Sequence, residues 1–218
     1  MLVGRDKELA VVREHVRDGR NLVVFGPAGM GKTTLVTEAI RDQPGAVYCA
    51  DTSTLKIACE SVLAQIGLTV RLTDNVARKR AILRATAGQR RCFVFDHVGR
   101  VSPKLASFLE TVRETHSMIL VTRTVAGPAT GWLKMILWDF DQLELAPLSG
   151  GAMRELLRAE IGVCESRLER GILRVARGCP GVLMALCRQA HRGRYLSPRL
   201  LDLDRRIAEL PGSEPFRP

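Results

Sequence analysis

The segment Gly-Pro-Ala-Gly-Met-Gly-Lys-Thr at residues 26–33 limits what this chain can fold into more than any other part of its sequence. It fits the spacing GxxxxGK[ST] and follows Leu22–Phe25, an apolar run typical of a parallel strand covered on both faces. It is followed by Thr34–Ile40, which has a helical pattern. Three glycines allow the backbone between strand and helix to curl, so that successive N–H groups and the helix N-terminus point at one place. Such a segment binds phosphate groups.

We interpret residues 26–33 as a P-loop, because a chance match of this length between a strand and a helix is improbable. Lys32 is expected to reach the β- and γ-phosphates of ATP, and the hydroxyl of Thr33 is expected to ligate Mg²⁺. The predicted ligands are therefore ATP or ADP and Mg²⁺. The predicted nucleotide contacts in this part of the chain are Gly26, Pro27, Ala28, Gly29, Met30, Gly31, Lys32, Thr33 and Thr34.

A P-loop needs an acidic partner at the end of a neighbouring strand, and Asp96 directly follows the apolar run Cys92–Phe95. We expect Asp96 to bind Mg²⁺ together with Thr33. A hydrolysing ATPase of this kind would usually have a second acidic residue next, but this chain has His97. A neutral imidazole can orient water or accept a proton, although it lacks the charge of a carboxylate. The sequence thus predicts slow hydrolysis, or hydrolysis that needs a residue of a partner.

Short apolar runs alternate with helical patterns through the first two thirds of the chain, which is typical of a parallel sheet between helices. We predict the P-loop NTPase α/β sandwich of three layers, with strand order 5-1-4-3-2. The fourth strand, near Met118–Thr122, then lies between the P-loop strand and the strand that ends at Asp96. Arg123 would emerge facing the γ-phosphate, which a guanidinium can sense or stabilise. The fifth strand is either Leu133–Leu137 or Leu143–Leu145.

Strand patterns disappear after Ser149, where four helical segments follow, near 150–161, 166–176, 180–191 and 198–210. The predicted organisation is a P-loop ATPase core at residues 1–148, a small all-α lid domain at 149–210 and a loose tail at 211–218.

The longest apolar runs have about five residues, far fewer than the roughly 20 of a membrane helix. The six cysteines show no metal-binding spacing and no export signal is visible, so we expect reduced cysteines, a cytoplasmic location and no membrane association.

The net charge of +10 favours contact with phosphates, nucleic acid or an acidic partner. Of the 33 basic residues 27 are arginine, which a GC-rich genome also produces. Two clusters would be responsible for nucleic-acid binding, and phosphate contacts from either would make that binding salt-dependent. The first cluster, residues 78–91, consists of Arg78, Lys79, Arg80, Arg84, Arg90 and Arg91, and the second, residues 188–206, of Arg188, Arg192, Arg194, Arg199, Arg205 and Arg206. The alternative is that both clusters are solvated faces.

Four further segments resemble motifs of the P-loop ATPases of the AAA+/STAND lineage, which includes the NB-ARC proteins and related prokaryotic signal-transduction ATPases. They are the opening Leu2–Glu8, the strand end Thr122-Arg123, the bridge Leu143–Ser149 and the GxP segment Gly178–Leu186. The resemblance implies that Val3, Gly4 and Arg5 line the adenine pocket and that Pro180 packs over the adenine. It also implies that ATP binds between the core and the lid.

Two absences within this resemblance favour the STAND branch over a ring-forming AAA+ motor. The start of the lid helix, Cys179–Val182, has no arginine, and neither arginine nor lysine occurs between Thr124 and Leu133. The resemblance thus implies an ATP-binding molecular switch. Since 218 residues leave no room for the sensor and effector domains of STAND proteins, we expect it to act through a protein partner or by self-assembly. The alternatives are a DNA-associated helper ATPase, as in transposition or replication, and a nucleotide-binding scaffold without turnover.

Overall fold

The computed structural model describes residues 2–68, 72, 74–127, 130–162 and 166–191. These residues form two compact units. The first, here called the sheet unit, comprises residues 6–26 and 32–145. The second, the helical unit, comprises the described residues of 1–5, 27–31 and 146–218. The chain therefore passes from the sheet unit into the helical unit and back within the P-loop.

The sheet unit is a five-stranded parallel sheet in the order β2-β3-β4-β1-β5, which confirms the predicted fold and strand order. Its strands are β1 (Leu22–Phe25), β2 (Ala46–Cys49), β3 (Cys92–Val98), β4 (Ser117–Thr122) and β5 (Asp141–Glu144). Its helices are α1 (Asp6–Asp18), α2 (Lys32–Ile40), α3 (Leu55–Gln65), α4 (Asn75–Thr86), α5 (Pro103–Arg113) and α6 (Leu133–Ile136).

Most residues of the central strands are buried. All six residues of β4 are buried, as are Leu22, Val23 and Val24 of β1, which is the pattern of strands covered by helices on both faces. The helices begin where polar side chains cap them. The hydroxyl of Thr54, the carboxylate of Asp74 and the hydroxyl of Ser102 accept backbone N–H hydrogen bonds at the starts of α3, α4 and α5.

The fifth strand lies at Asp141–Glu144 and overlaps the second of the two predicted segments. The first segment is helical instead, because Leu133, Ile136 and Leu137 are all buried and stand at the i, i+3, i+4 spacing of one helix face. The strand has a polar sequence because it is the edge of the sheet. It pairs with β1, and three of its four residues are exposed.

The helical unit contains α7 (Gly150–Ile161), α8 (Ser166–Ala176) and α9 (Pro180–His191) around a core of its own. That core includes Met153, Leu157, Ile172, Leu183 and Leu186. The predicted fourth lid helix and the tail lie outside the described residues, and the domain boundary at residue 148 remains a prediction. The sequence did not predict that residues 2–5 and 27–31 would pack with these helices.

Large apolar side chains are exposed mainly around α6. The exposed fractions are 46% for Trp132, 60% for Met135 and 74% for Trp138. The guanidinium of Arg113 lies 5.2 Å from the centre of the Trp138 ring, a cation–π contact. Within the described part of the chain, no helix has the length and the apolar character that crossing a bilayer requires.

Candidate functional site

The P-loop glycines adopt backbone conformations that other residues rarely take. The φ angles are +143° at Gly26, +79° at Gly29 and +86° at Gly31. A Cβ at Gly31 would meet no atom within 4 Å, so conformation and not space requires glycine there. The loop therefore has the curled backbone that the sequence predicts.

Lys32 and Thr33 form the first turn of α2. The ammonium group of Lys32 donates a 2.6 Å hydrogen bond to the carbonyl of Gly26, so the side chain folds back along the loop. Thr37 donates to the carbonyl of Thr33 at 2.8 Å, while the Thr33 hydroxyl forms no hydrogen bond with another described residue. Thr34 is exposed. The ammonium and the Thr33 hydroxyl are thus both placed at the loop.

Two carbonyl groups of the loop contact the start of α9 and the residue before it, within the helical unit. The N–H of Gly181 donates a 2.8 Å hydrogen bond to the carbonyl of Gly29, and the thiol of Cys179 lies 3.7 Å from the carbonyl of Ala28. A Cβ at Gly181 would lie only 2.7 Å from the Cα of Gly29. Because the C=O and N–H of one trans peptide point in opposite directions, fixing the Gly29 carbonyl also fixes the N–H of Met30.

The N-terminal segment packs in the same unit. Arg5 is 5% exposed and donates hydrogen bonds to the carbonyls of Ala146, at 2.6 Å, and Met30, at 3.4 Å. Val3 is buried. A Cβ at Gly4 would lie 2.5 Å from the Cβ of Ala152 in α7, which is a clash. The structure therefore brings the predicted adenine-pocket residues together with the loop residues 27–31 and with Pro180, the first residue of α9. Their roles toward adenine remain predictions.

Asp96 lies in an irregular part of β3 and not after its end, so the predicted strand Cys92–Phe95 is too short. Phe95 pairs with Leu120 and Val98 pairs with Thr122, so three steps along β3 match two steps along β4. One extra residue is therefore accommodated, which is a β-bulge. Bulges turn side chains out of the regular alternation of a strand, and this one includes both Asp96 and the next residue.

The carboxylate of Asp96 is 1% exposed and is hydrogen-bonded at both oxygens. The hydroxyl of Tyr48 donates to Oδ2 at 2.8 Å, and the backbone N–H of His97 donates to Oδ1 at 2.6 Å. The hydroxyl of Thr52 lies 3.2 Å from the carbonyl oxygens of both Asp96 and His97. Burial and the hydrogen bond to Asp96 raise the pKa of Tyr48 well above its usual value, so it is a donor at neutral pH.

His97 has a φ of +53°, an unfavourable angle for a residue with a side chain. Its side chain is 69% exposed, and Nδ1 lies 3.2 Å from the carbonyl of Ala50 and 3.4 Å from Oδ1 of Asp96. A carbonyl can only accept, so the contact with Ala50 places a proton on Nδ1. In the neutral ring Nε2 is then the nitrogen that can accept a hydrogen bond from water.

Arg123 directly follows β4, which lies between β1 and β3 as the sequence predicts. Parallel strands bring Gly26, Asp96 and Arg123, all in the sheet unit, to the carboxyl edge of the same sheet. Arg123 is exposed, and it forms no hydrogen bond or ion pair with any residue in the described part of the chain. Its predicted contact with a γ-phosphate remains a prediction.

The residues present fit a Mg²⁺ ion that is bound together with phosphates. No group of three or more His, Cys, Asp or Glu that could hold a metal by itself occurs among the described residues. Mg²⁺ in phosphate-transfer sites needs only one or two protein ligands, since phosphates and water supply the rest. A buried carboxylate such as Asp96, with neutral hydrogen-bond donors at both oxygens, is suited to a cation that would balance its charge.

A sequence model of the family described as AAA ATPase domain matches residues 1–124, more than half of the chain. The chain belongs to this family. It is therefore a P-loop AAA+ ATPase domain, as its motifs predict, and its sheet order and loop geometry agree with that assignment. No curated protein sequence matches this AAA ATPase domain.

Solved structures with a similar fold include Orc1 from Aeropyrum pernix in complex with DNA, at 16% identity and a TM-score of 0.69 over 95% of this chain. A variant of RuvB from Thermotoga maritima matches 95% of the chain at 14% identity and a TM-score of 0.60. A STAND protein with a tetratricopeptide repeat sensor from Pyrococcus horikoshii matches 82% at 19% identity and a TM-score of 0.52. The AAA ATPase domain spans 66%, 71% and 28% of those chains, respectively. These likenesses concern the fold.

Sequence reasoning missed Tyr48 and Thr52, which contact the Asp96 segment from β2 and from the loop that follows it. One signal was available for Tyr48, since a hydroxyl-bearing aromatic residue is unusual among small apolar ones in a strand beside the Asp96 strand. It also missed Gly181, whose closeness to the P-loop of this AAA ATPase domain depends on tertiary packing.

Proposed function

We propose that this chain is an ATP-binding molecular switch of the AAA+/STAND type, which hydrolyses ATP slowly and acts through a protein partner or by self-assembly. ATP or ADP with Mg²⁺ are its proposed ligands. One observation carries the proposal. The P-loop residues 27–31 pack with the lid helices α7 to α9 in the helical unit, although residues of the sheet unit flank them in the sequence.

The contacts of the loop supply a physical link between its ligand and these helices. The carbonyl of Gly29 is bonded to Gly181, and that of Met30 is bonded to Arg5. A phosphate that reorients the loop N–H groups must also reorient these carbonyls. Two hydrogen bonds contribute about 1–3 kcal/mol together. A difference of this size between the ATP-bound and ADP-bound loop would shift a conformational equilibrium by about 5- to 150-fold.

The proposed division of roles follows from position. Lys32 and the loop N–H groups bind the phosphates, Thr33 and Asp96 bind Mg²⁺, and Arg123 distinguishes ATP from ADP through the γ-phosphate. When bound, Mg²⁺ supplies positive charge that stabilises the phosphate oxygens as the phosphoryl group passes to water. Pro180 and Val3 to Arg5 are proposed to contact the adenine.

Slow hydrolysis is proposed because His97 stands where a carboxylate is expected. Its exposed ring can accept a hydrogen bond from water through Nε2, which orients a nucleophile without strongly activating it. The products would be ADP and phosphate, and hydrolysis would reset the switch. A chain that binds ATP without any turnover is the scaffold alternative.

The test is hydrogen–deuterium exchange of peptides that cover residues 178–186, measured with Mg²⁺ and either ADP or a non-hydrolysable ATP analogue. We expect the two nucleotides to give different exchange rates, because the amide of Gly181 is bonded to the loop. Lys32→Ala should remove the difference. Equal rates with both nucleotides in the wild type would contradict the switch.

Self-assembly has a separate readout. Size-exclusion chromatography with ADP and with the ATP analogue should give different elution volumes if the triphosphate form associates. An unchanged volume would leave a protein partner as the remaining route of action.

The DNA-associated alternative loses part of its support from the first arginine cluster. Arg78 is 7% exposed and forms an ion pair with Glu60 at 3.1 Å, so it is committed inside the sheet unit. Arg80 and Arg84 are exposed, and of the second cluster only Arg188 lies among the described residues. ATPase rates with and without duplex DNA at two salt concentrations test this alternative, with Lys32→Ala as the control.

A further inference from the structure

Asp96 is a buried acidic residue in the sheet unit. Its carboxylate is buried, its Oδ1 accepts from the backbone N–H that follows it, and its Oδ2 accepts from the hydroxyl of Tyr48 at 2.8 Å. Each carboxylate oxygen can accept two hydrogen bonds. Both oxygens therefore retain a lone pair for a metal ion or a metal-bound water.

The register between β2 and β3 places Tyr48 close to this carboxylate. Tyr48 pairs with Val94 on β3, and Asp96 lies two residues further along the same strand. A strand rises about 3.3 Å per residue, so a long side chain on β2 spans this offset. The ring is half-buried, which fixes the hydroxyl beside the carboxylate, and Thr52 restrains the bulge backbone from the same side.

We propose that Tyr48 is a positioning residue that orients the carboxylate of Asp96 for Mg²⁺. Without the Tyr48 hydroxyl, the carboxylate would keep only the hydrogen bond from the backbone N–H to Oδ1, and no described residue would donate to Oδ2. A buried carboxylate would then turn toward any other donor. With the hydroxyl bound, the carboxylate keeps one orientation before the ion arrives. This inference rests on the proposed function, since it assumes that Asp96 binds Mg²⁺ together with ATP.

The experiment measures binding of a fluorescent ATP analogue to the full chain, in EDTA and across a series of Mg²⁺ concentrations. Partners of metal ligands typically contribute 10- to 100-fold to metal affinity. We expect Tyr48→Phe to raise the half-saturating Mg²⁺ concentration about tenfold and to leave the affinity in EDTA within about twofold of wild type.

Thr86→Val is the matched control. It removes another buried hydroxyl, which donates to Ile82 at 2.9 Å and lies 3.0 Å from His116, just before the amino end of β4. Both variants should lower the melting temperature, which reports the loss of a buried hydrogen bond. Only Tyr48→Phe should change the dependence on Mg²⁺.

The possible outcomes distinguish a failure of the role of Tyr48 from a failure of the proposed function. If the wild type shows a Mg²⁺ dependence that Asp96→Asn removes, but Tyr48→Phe matches the wild type, the positioning role is wrong and the function stands. Tighter Mg²⁺ binding in Tyr48→Phe would also overturn the inference, because the hydroxyl would then compete with the ion. Absence of nucleotide binding by the wild type would refute both.

Discussion

Replacing Gly181 by alanine puts a methyl group against the P-loop. The new Cβ would lie 2.7 Å from the Cα and 3.0 Å from the carbonyl oxygen of Gly29, whereas ordinary contacts begin at 3.4 Å. The start of α9 must retreat by about 0.7 Å, which stretches the 2.8 Å hydrogen bond from Gly181 to Gly29 to about 3.5 Å, where little of it remains.

The size of the effect follows from three contributions. Overpacking costs about 1–3 kcal/mol and the weakened hydrogen bond about 0.5–1.5 kcal/mol. The smaller conformational entropy of the unfolded alanine chain offsets about 0.4–1 kcal/mol. We expect the free energy of unfolding to fall by about 0.5–4 kcal/mol in total. The affinity for an ATP analogue should fall about fivefold or more, since the loop N–H groups lose their fixed direction.

Gly150→Ala is the matched control, because a Cβ at Gly150 would meet nothing within 4 Å. It should leave the nucleotide affinity unchanged and increase stability by at most about 1 kcal/mol. The assays are chemical denaturation and titration with a fluorescent ATP analogue. If Gly181→Ala behaves like Gly150→Ala in both, the contact between α9 and the loop does not order the phosphate site.

Three further predictions concern the sheet unit. Arg78→Ala removes a buried side chain that forms an ion pair with the half-exposed Glu60, so urea denaturation should show a loss of about 1–3 kcal/mol, while replacement of the exposed Arg84 by alanine should stay within about 0.5 kcal/mol. Burial lowers the pKa of His116 below its usual 6.5, so protonation favours the unfolded chain and stability should fall as the pH drops from 7 to 5. His116→Gln should make that fall shallower, and an equal slope would assign it to other groups. His97→Glu should accelerate single-turnover ATP hydrolysis, and an unchanged rate would show that the imidazole does not limit it.

The strands and the P-loop could be predicted because their signals are local. Buried parallel strands require consecutive apolar residues, and the curled loop requires glycine at positions 26, 29 and 31. The edge strand Asp141–Glu144 was left ambiguous because a strand with one exposed side and one neighbour needs few apolar residues. In the same region, Leu133 and Ile136 are apolar because they lie on the buried face of a short helix, and the apolar run that contains them also resembles a strand.

The hydrogen bonds of Asp96 and the packing of the P-loop could not be predicted from the sequence, for a different reason. The bulge depends on the register between β3 and β4, which no local pattern specifies. The bond between Tyr48 and Asp96 joins residues 48 positions apart, and that between Gly29 and Gly181 depends on where a distant helix begins. Such contacts are set by tertiary structure, so motifs can predict the residues near a site and not their mutual bonds.

The position of the two tryptophans has a practical consequence for spectroscopy. The chain has only Trp132 and Trp138, and both are exposed beside α6, with the guanidinium of Arg113 against the Trp138 ring. Intrinsic emission from tryptophan will therefore be red-shifted in the native state and will change little when the buried sheet unfolds. A nucleotide-induced change in that emission would instead report on the surroundings of α6, which makes the native chain its own local fluorescent probe.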